Sequence, residues 1–143
     1  MSLRARQGQA GPAGGALRTE VAIVGLGPVG AVLAALLGKR GLNVVVFDRE
    51  ADIYQLPRAA HIDHTGLRTL EELGCLDDLL PTMLRNPGTD CVNAAGEILF
   101  RIPADRPTPA GLPPSTYFHQ PTFDRRLREV VAARSREVGL DRD

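Results

Sequence analysis

The stretch Glu20 to Asp48, EVAIVGLGPVGAVLAALLGKRGLNVVVFD, decides the fold. It opens with strand-type residues, Val21, Ala22, Ile23 and Val24, and runs into Gly25, Leu26, Gly27, Pro28, Val29 and Gly30. That is a GxGxxG turn, and it leads straight into a helical apolar pattern through Ala31, Val32, Leu33, Ala34, Leu36 and Leu37. Lys39, Arg40 and Gly41 close the helix, and a second strand, Val44 to Phe47, ends on Asp48. Strand, glycine turn, helix, strand and acid in this register make a βαβ unit.

Each piece has a physical reason. Gly25 permits a tight turn out of the strand, Gly27 lets backbone amides approach a pyrophosphate with no Cβ in the way, and Gly30 lets the helix pack close to the sheet. Pro28 and Val29 form the helix start, where a missing amide hydrogen costs little and the positive dipole end faces an anion. A carboxylate at the end of the second strand, Asp48, can accept hydrogen bonds from both hydroxyls of a ribose. The pattern implies an adenine dinucleotide, and by itself it leaves FAD and NAD equally open.

The rest of the composition excludes other classes of ligand. The chain has 143 residues, enough for one domain that buries about 70% of the surface its unfolded form exposes. Its 17 basic and 17 acidic residues cancel, so no basic footprint for nucleic acid or an anionic membrane is present. Val21 to Gly38 is uncharged and long enough to suggest a membrane span, but Gly25, Gly27, Pro28 and Gly30 break it and its first third has strand composition. Residues 1–18 are rich in Gly, Ala, Arg and Gln and lack the apolar core of a secretion signal, so they read as a disordered tail. Cys75 and Cys91 are isolated thiols without metal or redox spacing, which fits a cytoplasmic protein.

Beyond Asp48 the chain turns polar, and Pro57 forbids a continuous helix, placing Arg58 on a loop beside the nucleotide side of the sheet. Leu67, Leu70 and Leu73 have helical spacing, with Asp63 or Thr65 as cap and Gly74 at the end. A short turn, Leu76 to Leu80, stops at Pro81. Thr89 to Ala94 and Glu97 to Ile102 then read as an antiparallel hairpin closed tightly at Ala95 and Gly96. The prolines between Pro103 and Pro114 forbid regular structure. Tyr117 to Gln120 reads as a short strand, and a helix capped by Thr122 carries Phe123, Leu127, Val130 and Val131 on one face. His61, Asp63 and His64 lack a further ligand at metal spacing, and no nucleophile motif is present, so the chemistry belongs to a cofactor.

The combination GLGPVG, VVVFDRE, LPRAAHID leading into GLRTLEELG, and YFHQPTFDRRLRE resembles the N-terminal part of the single-component FAD-dependent aromatic hydroxylases. Within that family it is most similar to the branch acting on 3-(3-hydroxyphenyl)propionate and related phenols. The likeness covers about residues 19 to 136. It implies that Gly25, Gly27 and Gly30 hold the pyrophosphate of FAD, Asp48 its adenosine ribose with Arg49 beside it, Arg58 the flavin side, and Gln120 the ribityl chain. It also implies NAD(P)H as reductant, oxygen as co-substrate and a phenolic ring as acceptor. Asp48 departs from the glutamate common in that family and so keeps an NAD-dependent dehydrogenase as an alternative. Amine-oxidase-like flavoproteins fit less well, because a Gly-Gly-Arg turn is expected where Leu56, Pro57 and Arg58 stand.

The expected architecture is therefore α/β: a partial Rossmann-like FAD-binding βαβ fold with an antiparallel hairpin inserted, spanning residues 19–143 after the tail. The family continues with a further parallel strand, a second flavin motif and most of a substrate pocket. The expectation is accordingly a truncated domain with one sheet edge open to a companion chain, either catalytically dependent on the remainder or a nucleotide-binding remnant.

Overall fold

The computed structural model describes residues 19–56 and 61–137. The expected tail over residues 1–18 and Arg58 lie outside the described residues. Chain contacts divide the described residues into two compact units, one from residues 19–55 with 121–137 and the other from residues 56 and 61–120.

The first unit is built on the βαβ segment. Strand β1 (Val21–Val24) pairs in parallel with β2 (Val44–Phe47), in the register Val21 to Val44 through Val24 to Phe47. Helix α1 (Pro28–Lys39) connects them and packs against both. Parallel strands need such a crossover, because a tight turn cannot reverse the chain twice. The open ends of the strands are tied together by side chains. Thr19 Oγ1 donates to the Asn43 carbonyl at 2.7 Å, and the Asn43 amide donates to the Glu20 carboxylate at 2.7 Å. Ile23, Leu26, Ala31, Ala34 and Ala35 are buried, the three alanines letting α1 lie close to the sheet. Helix α4 (Gln120–Glu137) completes this unit for most of its length, with Phe123, Leu127, Val130 and Ala132 buried at helical spacing.

The second unit is a three-stranded antiparallel sheet, a helix pair and a hairpin. Strands β3 (His61–Asp63) and β4 (Leu84–Arg85) both pair with β7 (Ser115–Tyr117), which lies between them. Helix α2 (His64–Leu73) starts at Asp63, whose Oδ1 accepts the Gly66 amide at 2.8 Å, and ends on Gly74 in the left-handed conformation. A short α3 (Leu76–Leu79) follows, then a 3-10 turn, Leu80–Thr82. Leu67, Leu70, Leu79, Cys75 and Thr116 are the most deeply buried side chains here, and buried Asn86 donates to Ser115 Oγ at 3.0 Å. Strands β5 (Gly88–Val92) and β6 (Ile98–Pro103) form the hairpin.

Four local expectations are corrected. The hairpin turn is tight but takes in Ala94 as well as Ala95 and Gly96, the Gly96 amide donating to the Asn93 carbonyl and the Asn93 amide to the Glu97 carbonyl, both at 3.0 Å. Asn93 Oδ1 also accepts the amides of Ala95 and Glu97 at 2.9 and 3.0 Å, so the asparagine side chain adds to the backbone bonds of the turn. The last strand ends at Tyr117 and not at Gln120, because its β4 ladder begins at Leu84, where the 3-10 turn has only just ended. Helix α4 then starts at Gln120, so Thr122 lies inside its first turn and is not the cap; Pro121 tolerates that position because the first amides of a helix need no intrahelical acceptor. The short turn from Leu76 does not stop at Pro81: α3 ends at Leu79 and Pro81 sits within the 3-10 turn that follows it. Strands β3 and β4 were not foreseen at all, being too short to show a period of two.

Candidate nucleotide-binding site

The glycine turn leaves β1 with the sheet still paired: the Gly25 amide donates to the Phe47 carbonyl at 2.7 Å. Gly25 has φ of +104°, a conformation that L side chains rarely adopt, so the residue is required by the backbone and not by a neighbour. Gly30 is required by space. A Cβ there would stand 1.9 Å from the Gly25 carbonyl oxygen, so the first turn of α1 is pressed against the turn that precedes it. Gly27 is different again. Its backbone is extended, it forms the N-cap of α1, and a Cβ added to it would meet nothing within 4 Å.

That open space lies at the start of α1. The Ala31 amide donates to the Gly27 carbonyl at 2.9 Å and begins the helix ladder, while the amides of Val29 and Gly30 precede it and have no intrahelical acceptor. Pro28 occupies the first helical position. Val29 is 82% exposed, and the first turn carries no acidic side chain, so nothing in the helix itself opposes an anion at its positive end.

Asp48 stands directly after β2, at the carboxyl end of the strand adjacent to the glycine turn. Its Oδ2 accepts the Leu26 amide from within that turn, and its Oδ1 accepts the Glu50 amide at 2.8 Å. The Glu50 amide is the chief influence holding the carboxyl below its ordinary value of 3.8. Burial opposes it as the next-largest influence, and the Leu26 amide and the charges of Arg128 and Arg49, each smaller still, act in the lowering direction. Each carboxylate oxygen keeps a further lone pair, so both remain able to accept from a ligand hydroxyl. Arg49 is exposed and pairs with Glu50 at 2.9 Å.

The structure thus brings Gly25, Gly27, Pro28, Val29, Gly30, Asp48 and Arg49 to one end of the two-stranded sheet. Gln120 belongs to the other end of the chain: it is buried and is the first residue of α4. Three groups at Asp48 were missed from the sequence. The amides of Leu26 and Glu50 carry no side-chain signal. Arg128 reaches the same turn from α4, its Nη1 donating to the Ala51 carbonyl at 3.3 Å. Its position beside buried Leu127, at the margin of the apolar face, was the available clue.

No helix among the described residues is long and apolar enough to cross a membrane, and none of their His, Cys, Asp and Glu side chains cluster as a metal site. Cys75 and Cys91 are both free thiols.

Comparison with known proteins agrees with this geometry. The profile of a family described as "FAD binding domain" matches residues 18–142. The chain is 39% identical over 122 residues to a probable NADH-specific resorcinol 4-hydroxylase of Rhodococcus jostii, an alignment covering 85% of this chain and 23% of that protein. It is 38% identical over 117 residues to a 3-(3-hydroxy-phenyl)propionate/3-hydroxycinnamic acid hydroxylase of Burkholderia vietnamiensis, covering 80% and 21%. Among solved structures, p-nitrophenol 4-monooxygenase from Pseudomonas putida superposes with a TM-score of 0.63 at 26% identity, over 83% of this chain and 29% of that one. The flavin-dependent monooxygenase PieE, solved with FAD and substrate, superposes with a TM-score of 0.65 over 82% of this chain and 22% of that one; at 22% identity the likeness is one of fold. The chain therefore spans less than a quarter of the length of these two hydroxylases. The dehydrogenase alternative rested on the Asp48 substitution alone, whereas the match extends through both units to residue 142. With its glycine turn, α1 and the Asp48 strand end in the arrangement a dinucleotide requires, the chain belongs to the FAD-binding domain family.

Proposed function

We propose that this chain is the FAD-binding portion of a flavin-dependent monooxygenase that hydroxylates a phenolic ring with NAD(P)H and O2. The observation that carries the reading is the open space at Gly27, bounded by unpaired amides of α1 and facing a carboxylate already fixed by the turn. A pyrophosphate fits that cradle, which a Cβ at Gly27 would fill. In this reading Gly25, Gly27, Pro28, Val29 and Gly30 hold the phosphates and Asp48 takes the two hydroxyls of the adenosine ribose, with Arg49 beside it. Arg58 and Gln120 serve the flavin and ribityl end. The flavin supplies the redox and oxygen chemistry, and the protein supplies binding, orientation and exclusion of water.

The substrate class and the reductant in this proposal are supported by the names of the two hydroxylases, one of them NADH-specific. A cytoplasmic setting is supported by the two free thiols. Among the described residues β1 pairs only with β2, and Val24 is 88% exposed, so β1 keeps an edge at which a further strand, of the same or a companion chain, would pair. Titration of the full chain with FAD and with ADP tests the reading. Saturable binding of both, lost in Gly27→Val, supports it, and absence of binding to either refutes it.

A further inference from the structure

Arg128 sits 77 positions along the chain from the residue it contacts, and it comes from a helix that no dinucleotide fingerprint includes. Its Nη1 donates to the Ala51 carbonyl at 3.3 Å, three residues past the ribose-facing carboxylate. Its Nε is buried and has no acceptor among the described atoms. A buried donor left unmade is costly, so hydrogen bonding alone does not account for where this side chain lies. Its charge also bears on Asp48, lowering that carboxyl alongside the backbone amides and the Arg49 charge. The other charges facing Asp48 are those of Arg49 and Glu50 in its own turn, which pair with one another in the open, while α1 presents no acidic side chain in its first turn.

We propose that Arg128 is a positioning residue for the nucleotide ribose: from α4 it pins the turn between Asp48 and Ala51 and so presents the Asp48 carboxylate to the vicinal diol of a ribonucleotide. The inference rests on the FAD-binding reading. It adds that recognition of the diol is controlled from α4, outside the βαβ unit. Arginine suits the task because its planar fork can hold a carbonyl with one nitrogen while its charge bears on a neighbouring carboxylate, which a lysine does less well.

The test uses the full chain and two readouts. The first needs no ligand: the carbon-13 titration of the Asp48 carboxyl, compared between wild type and Arg128→Met. The expected result is an upward shift of the midpoint in the variant, with Arg128→Lys close to wild type because the charge is kept. The second compares the affinity for ADP with that for 2′,3′-dideoxy-ADP. Arg128→Met should lower the preference for the diol by about threefold to tenfold, the equivalent of about 1 kcal/mol, while its affinity for the dideoxy nucleotide stays near wild type. Arg128→Lys should show a smaller loss and serves as the folded comparison if Arg128→Met is unstable. An unmoved Asp48 titration overturns the proposal, as does a variant that weakens both nucleotides equally. Wild-type chain that binds neither nucleotide refutes the FAD-binding reading instead, and the titration still decides whether Arg128 governs Asp48.

Discussion

The amide of Leu26 donates its hydrogen to Oδ2 of Asp48, 22 positions further along the chain, so the glycine turn and the end of the second strand are joined by the carboxylate itself. With the Glu50 amide on Oδ1, the carboxylate is oriented by backbone before any ligand arrives. Asp48 is thus a latch as well as a candidate ribose acceptor, and changing it affects both roles.

Asp48→Asn is expected to destabilise the chain by about 1 kcal/mol, because the amide nitrogen cannot accept one of the two backbone hydrogens. ADP affinity should fall alongside. Urea denaturation measures the first effect and calorimetric titration the second. An unchanged midpoint of denaturation would show that the Leu26 and Glu50 bonds contribute nothing.

The glycines should separate stability from binding. Gly30→Ala places a Cβ against the Gly25 carbonyl oxygen, and the main chain must move; a loss of about 1–3 kcal/mol is expected. Gly27→Val meets open space in the empty chain and should cost about 1 kcal/mol or less, yet abolish nucleotide binding by filling the phosphate position. Melting curves and ADP titrations of the two variants should therefore rank in opposite orders.

Acid should remove the latch. The folded carboxyl of Asp48 titrates below its ordinary value of 3.8, so its contribution to stability is fully present above that value and is lost as the pH falls through the lower, folded value. The stability difference between wild type and Asp48→Asn should be flat from about pH 5 upward and shrink below pH 3.8. Urea midpoints measured across pH 3 to 7 would show this, and a difference that grows toward acid would reverse the sign.

Binding and turnover should also separate. The phosphate and ribose contacts proposed here are local to residues 25–48, whereas hydroxylation needs a flavin ring held against substrate in a dry cavity. This chain covers only 23% of a relative named as a hydroxylase. The purified chain is expected to bind ADP and to show no phenol-stimulated NAD(P)H oxidation. Oxidation of NADH that rises with added 3-(3-hydroxyphenyl)propionate would contradict the expectation.

The sequence by itself determined the βαβ unit, from Val21 through Asp48, because each signal there is local. Strand composition, a backbone that only glycine tolerates at Gly25, apolar helical spacing and a strand-end acid follow one another without reference to the rest of the chain. The Asp63 cap and the Gly74 end of α2 were legible for the same reason. Only the tertiary structure decided that β7 lies between β3 and β4, since strands of two or three residues carry no period and acquire one only from their ladder partners. It also decided where α4 begins, how the hairpin turns on Asn93, and what surrounds Asp48. Backbone amides look alike in any sequence, and an arginine 77 residues from its acceptor shows nothing of that contact until α4 lies beside the turn. The parts of the site made by neighbours in sequence could be read directly; those made by neighbours in space could not.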